Sequence, residues 1–196
     1  MESRTAGISA LESIFESELE SQGVIILSGD VTHDSAKEIV EALLKIDANP
    51  DLKAATLIIN SYGGDLHSAF FITDIMSIVS KPVHTLGTGA VMSAGLMIAM
   101  AGKHGRRFLT PYSMILSHRF WDGKIGSHAD LVAARRGEDI AHELCLTHFL
   151  RHTKYRTEKQ VEKNLLKKVD EWMTPGEALL HGLADHIIDD WTEATA

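Results

Sequence analysis

The feature that most constrains this chain is an alternation of short, nearly continuous apolar runs with segments of helical periodicity. "GVIILSGDV" (23–31), "ATLIIN" (55–60) and "PVHTLGTG" (82–89) are rich in β-branched residues and read as strands. Runs of that kind suit strands buried on both faces, as in a parallel sheet covered by helices. Between them, "SAKEIVEALLKIDA" (35–48) and "SAFFITDIMSIV" (68–79) place apolar residues at helical spacing. This order predicts an α/β domain. Further on, "RRFLT" (106–110) and "SMILSH" (113–118) read as two short strands split by Pro111-Tyr112, and a long mixed helix is expected from Gly126 to about His152. "TEKQ" (157–160) and "TPGE" (174–177) match the capping-box pattern, the second with Pro175 at the favoured first helical position. No repeat, low-complexity segment or linker interrupts the 196 residues, which are read as one domain, long enough for a real core.

Composition narrows the function classes. Hydrophobic residues make up 44% and charged residues 23%, a globular balance. The formal charge of -8 disfavours nucleic acid as a partner, since phosphate binding needs a basic face. The single cysteine, Cys145, excludes an internal disulfide and fits a reducing compartment. The acidic, helix-like start "MESRTAGISALESIFESELES" has no secretory pattern, and the apolar stretch around Ala90 to Gly102 is too short to span a bilayer. A soluble, cytoplasmic protein is expected.

Three places could carry chemistry. "GTGAVMSAGLMIAMAG" (87–102) is small and apolar yet holds Ser93 where a helix begins. A helix start favours developing negative charge, which suits a nucleophile; a packing serine among small residues is the competing reading. The stretch is not a G-x-S-x-G elbow, because Val91 stands two before the serine. In "INSYGGDL" (59–66), Gly63-Gly64 can turn an N–H group into a site or simply join a strand to a helix. It is no P-loop, since no G-K-[ST] follows. Among 11 histidines, His118 ends an apolar run, a natural position for a catalytic side chain. Zinc is not indicated: there is no H-E-x-x-H and no cysteine pair. Asp170 precedes a capped helix, but composition does not choose it over Asp122, Asp130, Asp185 or Asp189.

Together these segments resemble the proteolytic subunit of the Clp protease, a serine peptidase family. The resemblance runs from about Gly23 to Asp189. "INSYGGDLHSAFFITDIM" is similar to the family's I-N-S-P-G-G segment and the helix after it. "GAVMSAG" resembles its nucleophile turn, "GKHGRRFLTPYSMILSH" the run ending in its histidine, and "DEWMTPGEALLHGLADHII" its tail. The resemblance implies a triad of Ser93, His118 and Asp170, with an oxyanion hole formed by the N–H groups of Gly64 and Ala94. It also implies a crotonase-like ββα superhelix, with residues 123–152 as a projecting strand-and-helix handle and residues 1–22 as an axial segment. The expected assembly is a homo-oligomer, a heptameric ring or a stacked double ring enclosing the active sites. Polypeptide substrates would lie extended beside the handle strand. No cofactor or metal is implied; ATP would be used by a separate AAA+ unfoldase, and neither nucleic acid nor membrane is expected as a partner.

The chain also departs from the family pattern, as a divergent or virus-encoded member would. Tyr62 stands in place of proline and Ala94 in place of methionine, the latter keeping its N–H. Arg119-Phe120-Trp121 replaces Gln-Pro, a change expected to reshape the pocket for the residue before the cut. Thr56 and Ile58 stand where aromatic anchors for the unfoldase are usual, and Lys168-Val169 where a charged pair often links the rings. Three other readings share parts of the pattern: a catalytically silent ring subunit, a viral capsid-maturation peptidase, and a crotonase-type acyl-CoA enzyme. The filled triad positions argue against the first, and the short chain against the last.

Overall fold

The apolar runs become strands and the periodic segments become helices. The computed structural model describes residues 15–120 and 125–195. In it β1 (Val24–Ser28), α1 (His33–Ala48), β2 (Ala55–Ser61), α2 (Leu66–Ile78) and β3 (Val83–Met92) alternate as expected. They are followed by α3 (Ala94–Met100), β4 (Arg107–Leu109), β5 (Met114–Ser117) and the long α4 (His128–His152). The chain continues through α5 (Glu158–Asn164), β6 (Glu171–Met173), α6 (Pro175–His181), β7 (His186–Ile187) and α7 (Trp191–Thr195).

Strands β1, β2, β3, β4 and β7 lie side by side in that order, all parallel. Parallel neighbours need a crossover, and α1, α2 and α3 supply it. β3 pairs with two different strands beyond β2. Its first half pairs with β4 through Thr85–Gly87, and its second half pairs with β5 through Ala90–Met92. Gly89, with φ 59°, lies between the two halves, and a Cβ there would stand 2.8 Å from Asn60 Oδ1. The same Asn60 oxygen accepts the Ala90 N–H at 3.1 Å, which absorbs the β2–β3 register shift between Ile59 and Ser61.

The main core lies under this sheet. Ala36, Ile39, Leu43 and Ile46 form one stripe of α1 and pack in a cluster with Leu57, Ile59, Ile72 and Ile98. Helix starts carry their own caps. The expected box at Thr174–Glu177 is present. At Thr157 only half of it forms, because the Gln160 side chain accepts from the Arg156 N–H instead. Two further boxes, Thr32–Ser35 and Ser127–Asp130, escaped the pattern because their third residue is neither Glu nor Gln.

A charge is buried in the fold. Arg107 on β4 is 3% exposed, and its guanidinium is forked onto Asp185 at 2.9 and 2.6 Å. It also donates to the carbonyls of His152 and Gly182, tying α4 and the tail to the sheet. Burial works to raise the Asp185 pKa, but the hydrogen bonds and charge of Arg107 hold it below the usual carboxylate range.

Helix α4 is solvent-facing through most of its first half and buried at Cys145, Leu146, His148 and Phe149. The strand expected at the start of the 123–152 segment does not form at residues 125–127, where Gly126 and the Ser127 cap lead directly into the helix. Residues 123 and 124, like residues 1–14 of the expected axial segment, lie outside the described residues. Residues 15–21 are helical. Thr56 is buried rather than exposed, and Ile58 packs against Leu86, Phe108, Ile188 and Ala194 where α7 returns to the sheet. No helix among the described residues is long and apolar enough to cross a membrane.

Candidate active site

Three strand ends meet at one edge of the sheet, and registers alone bring the expected residues together. β3 and β5 pair in parallel with Met92 opposite Leu116, and the Ser93 N–H donates to the Leu116 carbonyl at 3.0 Å. β5 and β6 pair antiparallel, with Ile115 opposite Met173, Leu116 opposite Trp172 and Ser117 opposite Glu171. One step further along this ladder sets His118 opposite Asp170. Ser93 thus follows β3, His118 follows β5 and Asp170 precedes β6, all at the carboxyl edge of the parallel strands, where open α/β sheets hold their ligands.

Ser93 has an unusual backbone. With φ 51° it is the one non-glycine residue at positive φ among the described residues. Such conformations cost about 1–3 kcal/mol and persist where surrounding structure enforces them. It occupies the N-cap position of α3, yet its side chain makes no capping bond. Its Oγ instead lies 2.8 Å from His118 Nε2. That contact places a hydroxyl against a base, the arrangement a nucleophilic serine requires. Although the sequence lacks the elbow motif, the strained strand-to-helix turn is present.

The other side of the imidazole is looser. His118 Nδ1 lies 3.5 Å from Asp170 Oδ1, and the Asp170 side chain is 56% exposed. The competing aspartates are otherwise occupied or distant: Asp185 is held by Arg107, Asp130 caps α4, and Asp189 lies exposed in the tail. Asp122 lies outside the described residues.

Gly63 and Gly64 pass directly beside Ser93. A Cβ on Gly63 would stand 2.6 Å from Ser93 Cβ, and one on Gly64 would stand 2.2 Å from the Val31 carbonyl oxygen. Val31 holds this turn from behind: its N–H donates to the Gly63 carbonyl and its carbonyl accepts the Asp65 N–H, both at 2.8 Å. In a trans peptide the carbonyl and the following N–H point in opposite directions. The Gly64 N–H is therefore directed away from Val31, and Gly64 lines a cleft together with Ser93 and Ala94. The Ala94 N–H belongs to the first turn of α3, whose donors have no intrahelical acceptor.

The cleft narrows into a cavity of about 40 Å³ whose walls include Leu66, Met97, Phe120, Cys145, Phe149 and Leu166. Of these, Leu66, Met97, Phe149 and Leu166 escaped sequence reading, since apolar residues of this kind look like ordinary core. Burial pushes the Cys145 thiol up to about 12, so it is a neutral wall group. Arg119 stands at the rim, donating to the Leu166 carbonyl at 2.8 Å and pairing with Glu162 at 3.0 Å. Phe120 lines both this cavity and a wider groove along α4; Trp121 lies outside the described residues.

A strained serine whose hydroxyl rests on an imidazole, at the edge of a mixed α/β sheet, is the mark of a serine hydrolase. The comparisons with known proteins narrow the class. The family model for the Clp protease matches residues 9–190. ATP-dependent Clp protease proteolytic subunit 2 of Nocardia farcinica is 31% identical over 99% of this chain and 94% of its own length. The subunit 2 of Thermobifida fusca is 30% identical over 89% and 84%, and the subunit 1 of Mycobacterium tuberculosis 29% over 96% and 92%. The chain belongs to the Clp protease family, and it is a serine-type endopeptidase acting on polypeptides as a subunit of an oligomeric ring.

Proposed function

We propose that Ser93, His118 and Asp170 are the catalytic triad of this peptidase and that the N–H groups of Gly64 and Ala94 form its oxyanion hole. The 2.8 Å contact between Ser93 Oγ and His118 Nε2 carries the reading. Ser93 Oγ attacks the scissile carbonyl while His118 takes its proton. The carbonyl oxygen, now negative, is held by the two amides, each worth roughly 2.7–4 kcal/mol to the transition state. Collapse expels the amine, which receives the proton from His118, and leaves an acyl ester on Ser93. Water, deprotonated by the same imidazole, then releases the acid and restores the hydroxyl. Asp170 keeps the His118 tautomer that presents a free Nε2 and stabilises the imidazolium. The apolar cavity beside Ser93 suits an apolar side chain on the residue before the cut.

The protein works in this reading as one peptidase domain over residues 1–196, with α4 and the segment before it projecting as the handle of a heptameric single or double ring. An AAA+ unfoldase feeds the chamber and hydrolyses the ATP. The names of the relatives, which are proteolytic subunits of an ATP-dependent protease, support this partner.

The test is a fluorophosphonate probe and a short fluorogenic peptide, applied to the protein and to Ser93→Ala. Loss of a triad serine costs on the order of a million-fold in rate. Labelling and cleavage should vanish while the melting temperature holds; cleavage retained by Ser93→Ala would refute the triad. Light scattering should report a ring-sized species, and a stable monomer would refute the enclosed chamber.

A further inference from the structure

The turn that carries the Gly64 amide is held from two sides. Val31 grips it from behind. On the other side stands Ser61, the last residue of β2, which is fully buried although polar. Its Oγ accepts the Gly63 N–H at 3.1 Å. The turn begins where the β2 ladder stops, so this buried N–H needs a side-chain acceptor. The same side chain touches the second half of the site. A Cβ added at Gly95, the residue after Ala94, would stand 3.0 Å from Ser61 Cβ and 3.3 Å from Ser61 Oγ. Ser61 also pairs with Val91, two residues before Ser93. One small side chain is therefore wedged between the Gly63-Gly64 turn and the start of α3.

We infer that Ser61 is a positioning residue for the oxyanion hole: its hydroxyl orients the Gly63-Gly64 turn, and its small size sets the spacing from that turn to Ala94-Gly95. Serine suits both demands. Alanine keeps the spacing but leaves the Gly63 N–H without its acceptor, and a larger residue meets Gly95. The tetrahedral intermediate needs both donors near 2.7–3.1 Å from one oxygen, so drift of either lowers its stabilisation without touching the pocket that binds the substrate side chain.

This inference rests on the proposed triad and its oxyanion donors Gly64 and Ala94, and the experiment separates failure of the triad from failure of the role of Ser61. Ser61→Ala, Ser61→Cys and Ser93→Ala are compared in the assembled protein by peptidase kinetics. Affinity is measured for a peptide boronate, whose tetrahedral adduct mimics the intermediate, and for the matching product acid. Ser61→Ala should lose about tenfold or more in kcat, with KM and product affinity changed less than about twofold, and boronate affinity should fall by the same factor as kcat. Ser61→Cys keeps the side-chain shape but is larger and a weak acceptor, so on both counts it should fall likewise. Unchanged kcat in Ser61→Ala, with Ser93→Ala inactive, overturns the role of Ser61 alone. Activity surviving in Ser93→Ala overturns the triad itself. Equal losses of boronate and product affinity, or failure of both Ser61 variants to fold, would make Ser61 a core residue and overturn the inference.

Discussion

Gly63→Ala offers a sharp test of the site geometry. The added Cβ would stand 2.6 Å from Ser93 Cβ, 3.0 Å from the Met92 carbonyl oxygen and 3.1 Å from the Ala94 nitrogen. Non-bonded carbons settle about 3.5–4.0 Å apart, so the turn and Ser93 must separate by about 1 Å. Ser93 has little freedom to yield, since its N–H is bonded to Leu116 and its Oγ to His118. The φ of 107° adds strain that only glycine avoids. Overpacking and strain together should cost about 2–4 kcal/mol in stability. A misplacement of 1 Å in a catalytic site can cost about a hundredfold in rate. The measurements are the rate of fluorophosphonate labelling, kcat/KM on a fluorogenic peptide and a urea titration, all well below the melting temperature. Gly105→Ala is the control. Its φ of 82° imposes the same kind of strain in open space, so it should lose stability and keep the wild-type labelling rate. Wild-type labelling in Gly63→Ala would refute the geometry on which the site is built.

Asp170→Asn should lower kcat by about 10²–10³, less than the roughly 10⁴ of a buried triad aspartate, because Asp170 is half exposed and 3.5 Å from His118; no loss in steady-state kinetics would remove it from the triad. Arg107→Met should cost about 3–5 kcal/mol in urea unfolding, since it strands Asp185 without its partner, and a loss under about 1 kcal/mol would contradict the buried pair. His148 and His152 are held neutral chiefly by burial, down to about 4 and about 3, with His148 bonded to the Met97 carbonyl. As pH falls below 6.5 the unfolded chain takes up protons that the folded chain refuses. Stability should therefore decline toward pH 4, with His148 contributing up to about 1.4 kcal/mol per unit; a urea midpoint constant from pH 7 to 4.5 would contradict this.

Much of the site was legible because local rules wrote it. Ser93 could be singled out as a candidate at a strand running into a small-residue helix, Gly63-Gly64 at a strand ending in a free turn, and His118 at the end of an apolar run. The local pattern left a bland reading of each open, and the family resemblance chose among them. Asp170 was not legible from its own surroundings. The register between β5 and β6, a pairing across more than fifty residues, sets it opposite His118, while the separate pairing of β4 with β7 brings Asp185 to Arg107. The strands β6 and β7 were missed for a related reason: three and two residues long, they are too short to show a period.

The chain by itself determined the elements and their order, because apolar periodicity, caps and glycine turns act over a few neighbouring residues. It also determined which residue types were on hand for chemistry. Only the tertiary structure decided the strain at Ser93, the aim of the Gly64 amide, the partner of each aspartate and the walls of the pocket. These depend on contacts between segments remote in sequence, where a shift of one residue in register or one ångström in packing reassigns every partner.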